Sequence, residues 1–162
     1  MGVETHRPEI TPMLSILLVQ LIEAHWEEIA ARLIAEVKKH PETQNLAGRP
    51  EADLRAWCRD VLENLGSLLT VRKEGRHLKR RFRGLGRQHF EENIPLHEAV
   101  MRLQLLKGEI FSFVHEQGFP MTILELYREE ELQVLVGGFI DDCVYQAVRG
   151  YEEALRVASQ VA

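Results

Sequence analysis

Histidine is the residue type in this chain best suited to hold a metal ion, and seven histidines are spread along its 162 residues. Helical metal sites place their ligands at fixed spacings, such as His-Glu-x-x-His or two copies of Glu-x-x-His. The sequence contains Glu74-x-x-His77 once, without a second copy, and no His-Glu-x-x-His. We therefore predict no metal site.

A haem pocket makes a looser demand, because one well-placed histidine can hold the iron. His89 and His97 flank the turn before the most apolar helical stretch and are the candidates for an axial ligand. Both also fit the simpler interpretation of solvated residues at helix ends, which we favour. We expect no cofactor and keep a haem-binding globin-like sensor as the alternative function.

The sequence motifs give little support for phosphoryl transfer or other group-transfer chemistry. The stretch from Gln104 to Gly108 is close to the His-x-Leu-Lys-Gly motif of helical phosphotransfer domains. Gln104 occupies the acceptor position, and an amide lacks a nucleophilic lone pair comparable to that of imidazole. No paired carboxylates, catalytic triad or glycine-rich phosphate loop are convincingly placed, so we predict that the chain is not an enzyme.

A basic cluster between residues 72 and 87 is the main concentration of charge in a chain whose net charge is −5. Such asymmetry can form a surface for an acidic partner or a phosphate group. The alternative, which we favour, is a solvated helix face paired with acidic neighbours, since exposed charge clusters are individually weak. The possible partner surface comprises Arg76, Lys79, Arg80 and Arg83.

These residues are positioned by helices, because apolar residues recur at intervals of three and four along most of the chain. We predict helices from Pro12 to about Lys39, from Pro50 to about residue 69, from 75 to 91, from Leu96 to about 117 and from about 122 to 158. Residues 41–50 read as a polar loop. No stretch of useful length alternates as a strand does, so the predicted class is all-α with five or six helices.

The helix after Pro95 is predicted to be the central one. Its apolar residues form one face, and Leu105 and Phe111 extend the apolar surface to a second side. A helix that is apolar on two sides must be covered on two sides. The face consists of Leu96, Val100, Leu103, Leu106, Ile110 and Phe113.

Length and composition indicate one globular domain over residues 1–162, with residues 1–10 as a loose lead-in. The pI of about 5.8 argues against a nucleic-acid binder. Cys58 and Cys143 lie in apolar helical patterns, which is typical of core residues in a reducing compartment. No apolar run approaches the ~20 residues that span a bilayer, so we expect a soluble, cytoplasmic protein.

The last predicted helix carries a stripe of mostly small residues, spaced three or four apart, that keeps to one face. Because the other helices already supply one core, we expect this stripe to form the seam of a homodimer. Gly137 and Gly138 on the same helix call for a kink or the close approach of another helix. The predicted seam consists of Phe139, Cys143, Ala147, Gly150 and Ala154, continued by Ala158.

Two groups of residues resemble the N-terminal domain of RsbT co-antagonist proteins of the RsbRD type, over about His25 to Leu155. The same module resembles the input halves of some bacterial histidine kinases. The residues that carry the resemblance are Gly86-Arg87, Asn93-Ile94-Pro95-Leu96, Val100 and Leu103 to Leu106, then Phe139 to Asp142, Tyr145 and Val148 to Tyr151.

The resemblance implies a globin-like helical bundle without haem, which dimerises and precedes an output domain. In better known members the output is a STAS domain in a stressosome, which controls a kinase by partner switching. This sequence stops after its last helix, so we expect a stand-alone regulator or a fragment. We expect a non-enzymatic sensory or regulatory domain that works through a shift in helix packing, with a kinase or STAS-type partner and neither nucleic acid nor membrane.

Overall fold

A computed structural model describes residues 12–63, 65–66, 76–117 and 123–161; the expected lead-in at 1–10 lies outside them. The described residues form seven α-helices and no strand, which confirms the all-α class with a long C-terminal helix. A 3-10 turn at Pro41–Thr43 joins the second helix to the third. The helices are α1 Pro12–Ala24, α2 Trp26–Lys39, α3 Gln44–Ala47, α4 Glu51–Leu62, α5 Arg76–Glu91, α6 Leu96–Glu116 and α7 Ile123–Val161.

The first predicted helix is in fact two helices, separated by His25. The backbone of His25 leaves the helical region, with φ −112° and ψ 25°. Its ring packs 5.3 Å from that of Phe113 on α6, measured between centroids. The prediction of one helix was wrong because a break of a single residue leaves the apolar spacing almost unchanged. The predicted loop at 41–50 was also incomplete, since it contains the 3-10 turn and α3.

Helix α6 lies at the centre of the bundle, as predicted, and contacts α1, α2, α5, α7 and the 3-10 turn. Leu103, Leu106 and Phe113 are almost entirely buried on it. The first turns of α6 are rotated relative to the prediction: Leu96 is only partly buried, whereas the charged Glu98 is buried. The core therefore contains charge that the apolar pattern did not include.

Helices α5 and α7 form the most extensive helix pair, and two glycines allow it. A Cβ added at Gly86 would lie 2.8 Å from the carbonyl carbon of Ala147, and one added at Gly150 would lie 2.7 Å from that of Arg83. Real Cβ atoms do not approach backbone this closely, so the two helices touch backbone to backbone. Although a glycine weakens an isolated helix, here it is required for packing.

The stripe expected in a dimer seam lies mostly inside the chain. Phe139, Cys143 and Ala147 are at most 1% exposed, Gly150 is buried and Ala154 is partly buried. The first four residues have no apolar surface to spare for a partner, because they are buried within the chain, and α5 packs directly against Phe139, Ala147 and Gly150. At Gly137 a Cβ would meet nothing within 4 Å, so this glycine does not mark a close helix approach, whereas Gly150 does.

We predict that Gly86→Ala lowers the free energy of unfolding by about 3 kcal/mol, because the new methyl group forces α5 away from α7. Gly84→Ala on the same helix is the matched control, since a Cβ there meets nothing within 4 Å. It should raise the free energy of unfolding by up to about 1 kcal/mol through helix propensity. Urea denaturation followed by circular dichroism measures both, and equal effects of the two substitutions would contradict the close contact.

Candidate ligand-binding site

Arg102 on α6 is a charged residue in the core, with only 4% of its surface exposed. Its guanidinium carbon lies 3.9 Å from the centroid of the Trp57 ring on α4, a cation–π arrangement. Its Nη2 atom lies 2.5 Å from Nε2 of His89 on α5. No carboxylate forms an ion pair with Arg102 among the residues that the structure describes. Three helices thus meet around a positive charge that has no negative partner in the described part of the chain.

The burial of this charge is energetically unfavourable, because a guanidinium in the core loses its hydration. Desolvation lowers the pKa of Arg102 to about 9, against smaller opposing effects of Glu92 and Cys58. A guanidinium with this pKa stays charged at neutral pH. The desolvation of Arg102 therefore reduces the free energy of unfolding rather than removing the charge.

His89 is buried beside this charge, with 3% of its surface exposed. Burial, followed by the positive charges of Arg102 and Arg49, lowers the pKa of His89 to about 3. The ring is therefore neutral at physiological pH. Since its Nε2 accepts the hydrogen bond from Arg102, the proton of the neutral ring must be on Nδ1.

Three buried nitrogen atoms in this cluster have no hydrogen-bond acceptor in the described part of the chain: Nε of Arg102, Nδ1 of His89 and Nε1 of Trp57. With Arg102 charged and His89 neutral and protonated on Nδ1, all three atoms are N–H donors. Most buried polar groups in proteins have a partner, so a cluster with three unmet donors is unusual. Its chemistry is complementary to a group that offers acceptors only.

A cavity of about 340 Å³ adjoins the cluster and includes Trp57, His89 and Arg102 in its wall. Leu46, Leu54, Leu85 and Ile94 supply apolar wall surface, and Asp53 and Asp60 line the same cavity with exposed side chains. The cavity therefore runs from an acidic rim, past an apolar wall, to a base rich in N–H donors.

Glu98 on α6 fixes the segment that closes one side of this cavity. Its carboxylate accepts hydrogen bonds from the backbone N–H groups of Asn45 and Leu46, at 2.7 and 3.2 Å, and from the Asn45 side chain at 2.6 Å. These N–H groups belong to the first turn of α3, where a helix needs external acceptors. Arg49, just after α3, donates from Nη2 to the carbonyl oxygen of Glu92 at 2.5 Å. Together these bonds hold Leu46 and Arg49 at the cavity.

The described residues contain no cluster of three or more His, Cys, Asp or Glu side chains able to hold a metal ion. In the same part of the chain, none of the helices combines the length and apolar character needed to cross a lipid bilayer.

The chain matches the family described as RsbT co-antagonist protein rsbRD N-terminal domain over residues 24–161. It belongs to this family. The match includes α2 to α7 and every residue of the candidate site, and it confirms the resemblance read from the sequence. No curated protein and no solved structure matches the chain.

The two candidate haem ligands, His89 and His97, do not lie together in this RsbRD N-terminal domain. His89 is buried in the polar centre that it forms with Trp57 and Arg102, so its interpretation as a solvated helix-end residue was wrong. His97 is exposed, with its Nε2 3.7 Å from the carboxylate of Glu42. Haem ligation by His89 finds no support in this geometry, because Arg102 already hydrogen-bonds to its Nε2.

The predicted partner surface is only partly available. Lys79 and Arg80 are exposed, but Arg83 is 3.3 Å from the carboxylate of Glu153 on α7. The side chain of Arg76 lies outside the described residues. A role of the exposed pair in partner binding stays a prediction.

Trp57, Glu98 and Arg102 were not predicted from the sequence as candidate site residues. A usable signal was present, because Glu98 and Arg102 continue the spacing of Leu106 and Ile110 in steps of four residues. Charged residues in register with an apolar helical face are the pattern expected of a buried polar site. Because that face was assigned from its apolar residues alone, Glu98 and Arg102 were left out of it.

The buried neutral His89 predicts a pH dependence of stability. An unfolded histidine has a pKa of about 6.5, so below that pH the unfolded chain binds a proton that the folded chain does not. The free energy of unfolding therefore falls as the pH falls, by about 2 kcal/mol from pH 7 to 5 for this residue. His89→Gln should remove this part of the dependence, since the glutamine oxygen can still accept from Arg102.

Urea denaturation at pH 7, 6 and 5 tests this prediction. His97→Gln is the matched control, because the same substitution is made at an exposed histidine. It should leave the pH dependence of the wild type unchanged. An identical pH dependence in the wild type and His89→Gln would show that His89 is not a buried neutral residue.

Proposed function

We propose that this RsbRD N-terminal domain is a non-enzymatic, cytoplasmic input module of bacterial signal transduction, of the RsbR-like stress or two-component type. The observation that carries the proposal is the family match over residues 24–161. The position of the polar centre supports it, because Trp57, His89 and Arg102 lie on three different helices. A group bound there touches the packing of α4, α5 and α6 at once.

The route from this centre to the long helix α7 is short. His89 lies one helical turn after Gly86, whose backbone packs directly against that of α7. Phe90 contacts Tyr151 of α7 edge to face, with ring centroids 5.4 Å apart. A displacement of α5 at His89 therefore changes its contacts with α7. A signal can shift this packing only if it binds one arrangement more tightly than the other.

Partners of the module belong to the same proposal. A kinase or a STAS-type protein receives the signal from α7, and the exposed Lys79 and Arg80 offer a surface to an acidic partner. We also propose a homodimer, with its seam on exposed residues of α7 rather than on the buried stripe. Val134, Tyr145 and Leu155 are 75%, 61% and 49% exposed and lie along one side of α7.

A fusion protein tests the signalling role. We would join the whole chain to the catalytic half of a histidine kinase and measure autophosphorylation. Gly86→Ala should change the rate severalfold, because it disturbs the α5–α7 contact, whereas Gly84→Ala should match the wild type. Equal rates in the three fusions, all shown to be folded by circular dichroism, would count against transmission through α7.

Multi-angle light scattering at tens of micromolar tests the homodimer. We expect a dimeric wild type and a monomeric Tyr145→Glu, because a two-fold seam would bring the new carboxylates of both copies together, beside the exposed Asp141 one turn earlier. Val157→Glu adds a charge on the opposite side of α7, where Val157 is also exposed, and should remain dimeric. A monomeric wild type would rule out the homodimer, and a dimeric Tyr145→Glu would place the seam elsewhere.

A further inference from the structure

We propose that the cavity beside Arg102 binds a small organic monocarboxylate, whose oxygens accept hydrogen bonds from the unmet N–H groups of Arg102 and Trp57. The inference deepens the proposed function and rests on it in one respect, namely that the ligand acts as a signal. Binding itself is a separate claim and has its own test.

Because the unmet groups of the cluster are all hydrogen-bond donors, they favour an anionic ligand. A deprotonated carboxylate offers acceptors and no donors, and bonds between a guanidinium and a carboxylate are among the stronger hydrogen bonds in proteins. Arg102 is 4% exposed and its Nε has no partner among the described residues. A bound carboxylate would supply the negative charge that the surrounding residues do not.

The walls select an organic ligand of limited size. The volume of about 340 Å³ is at the lower end of the range of small-molecule sites. Leu46, Leu54 and Ile94 are buried apolar residues in its wall. A ligand with a short aliphatic or aromatic body fits this lining, whereas a bare inorganic anion leaves it without contacts.

The rim selects a single negative charge. Asp53 and Asp60 are exposed in the cavity wall, and Glu92 lies there beside Arg49, at 3.6 Å. The carboxylate of Glu92 is offset by Arg49, whereas those of Asp53 and Asp60 repel anions that approach the base, and this repulsion grows with the charge of the ligand. Monoanions are therefore favoured over phosphate esters and dicarboxylates.

The surroundings of the cavity favour binding over reaction. Cys58, the neighbour of Trp57 in sequence, interacts electrostatically with Arg102, and burial raises the pKa of its thiol to about 12. A thiol with this pKa supplies almost no thiolate at neutral pH, and the thiolate is the reactive form. Among the described residues that line the cavity, a carboxylate meets hydrogen-bond donors but no active nucleophile.

The test uses the full chain labelled with ¹⁵N and follows the indole N–H signals of its two tryptophans. Trp26→Phe assigns the Trp57 signal. Hexanoate and benzoate are the probes, with benzamide as the uncharged analogue and inorganic phosphate as the bare anion. We expect saturable shifts of the Trp57 signal with the two carboxylates and none with benzamide. Isothermal titration calorimetry then gives the dissociation constants.

Arg102→Met removes the charge while keeping an unbranched side chain, and should weaken carboxylate binding about tenfold or more. Arg55→Met is the matched control, because Arg55 also lies over a tryptophan, Trp26, but is exposed. It should change the dissociation constant less than about twofold. If Arg102 only stabilised the fold, Arg102→Met would melt earlier than the wild type; we expect an equal or higher Tm, since an unpaired buried charge is removed.

Should Arg102→Met fail to fold, Arg102→Lys replaces it, because lysine keeps the charge but lacks Nε and the planar fork. It should also bind carboxylates more weakly than the wild type. The absence of a saturable Trp57 shift, equal shifts with benzamide, unchanged binding in the Arg102 variant, or tighter binding of phosphate than of both carboxylates would each overturn the inference.

The kinase fusion separates this inference from the proposed function. A fusion that responds to Gly86→Ala, in a chain that binds no carboxylate, would leave the signalling role standing without this ligand. A carboxylate that binds the chain but changes the rate of no fusion would confirm the site and contradict its role as a signal.

Discussion

Direct contact between the backbones of α5 and α7 fixes the position of α5, and the other features of the bundle follow from it. Gly86 and Gly150 let the two helices meet closely, and Phe82 and Phe139 pack edge to face beside the contact, with ring centroids 6.0 Å apart. Since a helix of four turns is rigid, the contact also sets the place of His89. The hydrogen bond between His89 and Arg102 thus depends on two residues without side chains.

Helix α6 contains two buried charged residues, Glu98 and Arg102, which differ in how their lost hydration is compensated. The carboxylate of Glu98 receives three hydrogen bonds, which compensate for its lost hydration. The guanidinium of Arg102, one turn later, has a neutral acceptor and an aromatic face but no anion among the described residues. The chain can therefore compensate a buried charge, as it does at Glu98, but the described residues do not do so at Arg102.

The helical pattern could be read from the sequence because apolar spacing reports which side of a helix is covered. It gave α5 as 75–91 against an observed Arg76–Glu91, and it placed α6 at the centre. Spacing does not report what covers a face, so the stripe at Phe139 and Ala147 was assigned to a second copy although α5 of the same chain packs against it. It also omits charges, which is why Arg102 was missed.

Glu98 caps α3, so the wall of the cavity that α3 forms depends on this carboxylate. A helix of four residues such as α3 has no stability of its own in water. Its first turn is held by a carboxylate from about fifty positions later in the sequence, so α3 can form only after α6 has docked. During folding, the cavity is therefore completed late. In the native state, release of α3 is a local opening that requires less free energy than global unfolding, and this makes α3 the expected gate between solvent and the buried guanidinium.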